Sequence, residues 1–256
     1  MNIAVIQARM GSSRLPGKVL RKLGETTILD SVVERLKVSV GVERIVVATT
    51  TSASDDSIFA HCKSKSIEVI RGPEEDVLLR YVLAVEEDFN GNILRITADC
   101  PFIDPGLIDS AFEKFINLDL DHIGIATGAG VANVKSFKFP DGLDAEWVKF
   151  SVLKVANNEA TETLDREHVT SYIWQNPAKF KLGLLQPTED YSDVKLTIDT
   201  HEDLVNMNAL SKLLGGLFLK ADFRHVVATY RVGIAKGHIV PPVGNSNYTV
   251  FYEHDK

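Results

Sequence analysis

Between Arg9 and Lys18 the chain gathers three cations (Arg9, Arg14, Lys18), two glycines (Gly11, Gly17) and two hydroxyls (Ser12, Ser13). This is the chemistry of an anion site. Glycine lets backbone N–H groups come close to phosphate oxygens, and the side-chain cations neutralise them. The apolar run Ile3-Ala4-Val5-Ile6 in front of it is too short for a helix and right for a buried strand, so the group sits on a loop at a strand end. The P-loop does not describe it. That motif places four residues between its glycines and closes on Gly-Lys-Ser/Thr; here five residues separate Gly11 from Gly17, Pro16 lies among them, and Val19 follows Lys18. Two readings fit the composition, a basic surface turn and a phosphate clamp of another design, and the clamp is the one carried forward.

Two aspartates close apolar runs, Asp99 after Leu94–Ala98 and Asp199 after Leu196–Ile198. Carboxylates at strand ends beside a phosphate loop suit magnesium, a hard cation that takes oxygen ligands. Each is equally the type of residue that caps a helix or opens a turn, above all Asp199, which Thr200-His201-Glu202-Asp203 follows. Asp141-Gly142-Leu143-Asp144 reads as a hairpin turn. Arg166-Glu167-His168 reads as the solvated start of a helix, with His168 a general base in principle. Arg71 and Arg80 read as surface or ion-pair residues unless a site reaches them.

The elements that must position these groups alternate. Helices are expected over Ile28–Leu36, Ser54–Lys63 (opened by a Ser/Asp cap), from Val77, and over Leu107–Phe115; strands over Arg44–Thr49, Ile67–Ile70, Asn92–Thr97 and Asp121–Ala126. Such alternation with short connections is the pattern of a mostly parallel sheet covered on both faces, with ligands at the carboxyl ends of its strands. It breaks near Gly128. Residues of about 129–187 read as an insertion, or as a lobe covering the site and forming a dimer contact, built from strands at Val134–Phe139, Ala145–Phe150 and Lys179–Gln186 and a helix from Asp165 to Gln175. A strand over Val194–Asp199 and helices from Glu202 to about Leu214 and from about Asp222 to Val232 complete a domain of residues 1–235, and 236–256 is a turn-rich tail.

The 256 residues suffice for one large α/β domain, and 45% hydrophobic with 25% charged residues is ordinary for a globular protein. A net charge of −7 argues against binding nucleic acid by counterion release. Cys62 and Cys100 have no metal-ligand spacing, so a reducing cytoplasm is expected. No apolar run approaches the roughly eighteen residues of a membrane span, and no basic region precedes the first apolar run, so no signal peptide is expected.

With these residues in place, ARMGSSRLPGK resembles the opening signature of the cytidylyltransferases that make CMP-activated acidic sugars, and within them the spore-coat polysaccharide F type. RGPEEDVLLRY, RITADCPFIDP, FPDGLDAEW, REHVTSYI and LTIDTHEDL match in order, from residue 3 to about 205. The resemblance implies a nucleotide-diphospho-sugar transferase-like fold, a three-layer α/β/α sandwich with a mixed, mostly parallel sheet and an antiparallel excursion. It implies a homodimer that transfers CMP from CTP to an acidic sugar and releases pyrophosphate, with Mg2+ as cofactor. Arg9, Arg14 and Lys18 would be the catalytic cations. Ala8, Met10, Gly11, Ser12 and Thr97 would join them around the nucleotide, Asp99 and Asp199 would hold the metal, and Asp144, Arg166 and His168 would lie toward the acceptor. Three departures fall on the acceptor side: Ala98 where glycine is usual, Lys195 where arginine is usual, which keeps the charge and loses the bidentate fork, and Ser136-Phe137-Lys138 where a basic residue is displaced. The rival readings are an A-type-fold glycosyltransferase using a nucleotide sugar, against which no Asp-X-Asp ends a strand in the first half, and a nucleotide-binding protein without turnover.

Overall fold

A computed structural model describes residues 1–127 and 137–241. Among them a seven-stranded sheet runs in the order β5-β4-β1-β6-β8-β7-β9. Its strands are β1 (Asn2–Gln7), β4 (Arg44–Thr50), β5 (Glu68–Gly72), β6 (Asn92–Thr97), β7 (His122–Ile125), β8 (Ala145–Lys149) and β9 (Leu182–Leu185); β2 (Lys22–Leu23) and β3 (Thr26–Thr27) form a separate ribbon. β4 and β6 flank β1 in parallel, and β8 runs against both β6 and β7. The carboxyl ends of β1, β4, β5 and β6 therefore share one edge of the sheet.

Strand alternation assigns the two faces. Ala4 and Ile6 of β1 point into one core with α1 (Ile28–Leu36), α2 (Asp56–Ser64), α4 (Pro105–Asn117), α8 (His201–Leu214) and α9 (Phe223–Ala235). Ile3 and Val5 point into the other, with α3 (Val77–Leu83), α5 (Phe150–Glu159) and α7 (Ser171–Gln175). The result is the expected three-layer α/β/α sandwich. Helix starts follow local chemistry: Thr27, Asp76, Asp104 and Asp222 each accept from a backbone N–H three residues on, and Thr200 with Asp203 forms a full capping box.

Several local expectations are corrected. The helix expected from Ser54 begins at Asp56, and Asp55 does not cap it; that carboxylate turns back to Met10 N (2.8 Å), Thr50 Oγ1 (2.6 Å) and Thr49 Oγ1 (3.1 Å). The helix expected from Asp165 to Gln175 is two, α6 (Thr163–Glu167) and α7, because Val169 takes a left-handed φ of 60° between them. Val194–Asp199 is extended but makes only a single bridge, between Asp141 and Lys195. Phe150, expected to end a strand, instead opens α5 (Phe150–Glu159), whose other residues were given no element in the sequence. Of the segment about 129–187, β8 and β9 are strands of the central sheet; of the strand expected at Val134–Phe139, residues 134–136 lie outside the described residues and 137–139 form no strand, and the tail beyond 241 lies outside them too.

The turn at Asp141–Asp144 depends on Gly142, whose φ is +101° and where a Cβ would stand 2.7 Å from the Leu196 carbonyl carbon and the Thr197 nitrogen. Gly142→Ala is expected to cost about 1–3 kcal/mol in backbone strain alone. A thermal melt reads it, and an unchanged midpoint would refute the constraint.

Candidate active site

The loop after β1 is folded by its own backbone. The Met10 carbonyl accepts from Ser12 N (2.9 Å) and Gly17 N (3.0 Å), and Asp55 holds Met10 N from behind. Gly17 has φ 69°, and a Cβ there would lie 3.0 Å from Met10 Cε. Leu15 and Val19 are buried anchors on either side of the turn. Between them Lys18 begins a single 3-10 turn and its side chain is directed along the sheet edge.

There it meets Asp99, just past β6, and Asp199, just before α8. Lys18 Nζ donates to Asp99 Oδ2 at 2.7 Å, to the Ile198 carbonyl at 2.9 Å and to Asp199 Oδ1 at 3.1 Å. Asp199 is brought into range by the extended segment before it, whose Leu196 and Ile198 N–H groups donate to the carbonyls of Asp141 (2.7 Å) and Asp99 (3.0 Å). Arg14 Nη2 stands 3.3 Å from Asp199 Oδ1 and Lys195 Nζ 3.7 Å from Asp199 Oδ2, with Lys195 held chiefly by Asp203 at 2.6 Å. Burial pulls the Lys18 pKa down, but Asp99 and Asp199 outweigh it and the pKa is raised. Burial likewise pushes Asp99 up, and Lys18 more than reverses it. Lys18 and Asp99 stay ionised together.

A cleft of about 370 Å3 opens over this cluster. Ala8, Arg9, Gly11, Ser12, Arg14 and Lys18 line it from the loop, Thr97 and Asp99 from the end of β6, and Asp199 from the segment before α8. His168 lines it from the turn after α6. Burial first, then the Arg95 charge, lowers the His168 pKa, so its imidazole is neutral at pH 7. Met10, expected at the nucleotide, does not line the cleft; its backbone folds the loop and its side chain packs against the core. Asp144 lies behind Asp99, across Cys100, whose Sγ is 3.6 Å from Asp99 Oδ1 and 4.0 Å from Asp144 Oδ2. It accepts from Thr127 Oγ1 and from Gly142 N (3.0 Å), and burial pushes its carboxyl up. Arg166 is not brought to the cleft: its guanidinium is spent on Asp76 and on the carbonyl and side-chain oxygens of Asn157, tying α6 to the start of α3.

Arg80, expected at the surface or in an ion pair unless a site reached it, is reached by this one. It is 2% exposed yet reaches the cleft wall from α3. Its Nη1 donates to the carbonyls of Pro73 (2.6 Å) and Glu74 (2.9 Å), and its buried Nε has no partner. With no carboxylate paired to it among the described residues, it adds positive charge near Arg9. In an amphipathic helix nothing in sequence marks which arginine turns inward.

The donor set fits a small hard cation. Asp99, Asp199 and the Ile198 carbonyl present oxygens to one point, and magnesium commonly takes one or two carboxylates and fills the rest of its shell with water and substrate phosphate. Among the described residues no cluster of three His, Cys, Asp or Glu side chains is placed to hold a metal, so a cation here would complete its shell with water or substrate oxygens.

The chain has relatives in sequence and in fold. A sequence model described as Cytidylyltransferase matches residues 3–221. The spore coat polysaccharide biosynthesis protein SpsF of Bacillus subtilis (strain 168) is 36% identical over 218 residues, 82% of this chain and 86% of that protein. The 3-deoxy-manno-octulosonate cytidylyltransferase 2 of Hydrogenovibrio crunogenus is 30% identical over 121 residues, 45% of this chain and 47% of that one. A solved cytidylyltransferase structure from Leptospira borgpetersenii superposes with a TM-score of 0.81 at 30% identity, covering 91% of this chain and 95% of its own. The fold is that of the nucleotide-diphospho-sugar transferases. No helix among the described residues is long and apolar enough to cross a membrane.

Proposed function

The chain belongs to the cytidylyltransferase family, and from that premise we propose that it transfers CMP from CTP to an acidic sugar of nonulosonate or octulosonate type, releasing pyrophosphate, for a surface polysaccharide or glycan. The observation that carries this is the convergence of Lys18, Arg14, Asp99 and Asp199 at the rim of a cleft floored by the glycine-bearing loop. The acceptor oxygen attacks the α-phosphorus in line, so the protein's work is positioning and charge stabilisation. Arg9, Arg14 and Lys18 hold the triphosphate, and backbone N–H groups around Gly11 approach it where no side chain intervenes. Asp99 and Asp199 would hold Mg2+, which would offset negative charge on the phosphates. His168, neutral and on the cleft wall, would take the acceptor's proton, a role its lining position and lowered pKa support. The acidic-sugar class is supported by the octulosonate-activating relative, and the proposal includes a cytoplasmic site of action and a homodimer.

The test is pyrophosphate release with CTP, Mg2+ and a panel of acidic sugars, with and without chelator. Release that needs CTP, one sugar and the metal is the expected result. Release of nucleoside diphosphate from a nucleotide sugar would replace the proposal with the glycosyltransferase reading. CTP binding without release across the panel would leave a binding protein.

A further inference from the structure

The ammonium of Lys18 fills the point on which the carboxylates converge. An ammonium has three donors and no acceptor, and here all three are engaged, with Asp99 at 2.7 Å, the Ile198 carbonyl at 2.9 Å and Asp199 at 3.1 Å. The side chain is only 12% exposed. In this arrangement Lys18 has no donor left for a phosphate, and the carboxylate oxygens it holds are not free for a cation. Its two expected roles, gripping phosphate and leaving Asp99 and Asp199 to a metal, both require the same movement.

We propose that Lys18 is a stand-in cation at the Asp99–Asp199 position, so that nucleotide and divalent metal bind as a coupled pair. The inference rests on the assignment of Asp99 and Asp199 as metal holders. A phosphate that draws Lys18 toward the cleft releases both carboxylates at once. A divalent ion arriving alone must instead displace an ammonium anchored at three points, while Arg14 (3.3 Å) and Lys195 (3.7 Å) also face Asp199. Affinity for the metal is therefore suppressed until the nucleotide is bound. By linkage the metal raises nucleotide affinity by the same factor. Asp99 and Asp199 are also kept from repelling each other in the empty protein, which preserves the cleft for the ligand.

The experiment titrates Mn2+ alone, without nucleotide, into wild type, Lys18→Met and the double variant Lys18→Met/Asp99→Asn, reading free Mn2+ by electron paramagnetic resonance. Lys18→Met is expected to bind Mn2+ roughly tenfold or more tightly than wild type, within the usual range of coupling between sites, and the double variant is expected to lose that gain. Thermal melts check that each variant is folded, and Lys18→Gln replaces Lys18→Met should methionine not fold. Equal, measurable Mn2+ affinity in wild type and the Lys18 variant overturns the coupling and leaves the metal assignment standing. No binding to the folded Lys18 variant at millimolar Mn2+ overturns the assignment itself, and the coupling with it.

Discussion

Lys18→Ala and Asp99→Ala are each expected to lower kcat/KM for CTP by roughly 10²–10³, about 2.7–4 kcal/mol of transition-state stabilisation, the usual loss when one preorganised charge contact is removed. The fold should survive both. Lys18 lies on a turn pinned by buried Leu15 and Val19, and the backbone around Asp99 is held by Ala98 N to Gln7 O and Cys100 N to Thr97 O, which neither substitution touches. The two effects should not add. Lys18 and Asp99 are 2.7 Å apart and act on the same phosphates, and residues working as one unit lose most of their joint effect with the first removal. Pyrophosphate-release kinetics on the single and double variants decide the matter. Full activity in either single variant refutes the role given to that residue, and strict additivity refutes the view that they act together.

The parts of this arrangement that were legible in sequence are those written in local pattern. Buried parallel strands read as short apolar runs, so β1, β4 and β6 and the edge they share followed from Ile3–Ile6, Arg44–Thr49 and Asn92–Thr97. The glycines and cations of the first loop and the aspartate after β6 were visible for the same reason. What was not visible depends on partners distant along the chain. Lys18 is 81 residues from Asp99 and 181 from Asp199, and nothing near it announces that its ammonium would lie between them. Val194–Asp199 has the composition of a strand, but a strand needs a continuous neighbour, and this segment makes one bridge, to Asp141, and one further backbone bond to a distant residue, Asp99. Val169 at φ 60° breaks a helix with a β-branched residue that ordinarily avoids that conformation, so periodicity ran straight through it. Asp55 and Arg166 show the same limit for single side chains. Each looked available for one task, a cap and an acceptor contact, and each is committed elsewhere, Asp55 to Met10 and Thr50, Arg166 to Asp76 and Asn157.

The largest stability effect is expected away from the cleft, at Glu146. This β8 carboxylate is 5% exposed and accepts from the Arg95 guanidinium on β6, from His122 Nε2 at 2.7 Å and from Thr170 Oγ1 at 2.5 Å. Burial pushes its pKa up, but the Arg95 charge and the His122 bond outweigh it and bring it from 4.5 to about 2. At 1.36 kcal/mol per unit that displacement is worth roughly 3 kcal/mol, and removing one partner of a buried pair typically costs about 3–5 kcal/mol because the other charge is left uncompensated. Glu146→Gln strands Arg95, whose buried Nε already lacks a partner, and it loosens Thr170, whose N–H donates to the His168 carbonyl at 2.6 Å and so helps place that imidazole on the cleft wall. The pH dependence has a definite sign. A carboxyl with a depressed folded pKa stabilises fully above its unfolded value, near 4.5, and its contribution fades as pH falls toward about 2. Denaturant unfolding should therefore show the full loss at pH 7 and a smaller one at pH 3, where wild type has itself begun to lose the pair's stabilisation. A loss below about 1 kcal/mol at pH 7, the scale of an exposed ion pair, would mean that Arg95 finds other compensation. A loss of equal size at both pH values would mean that Glu146 acts through packing and not through its charge.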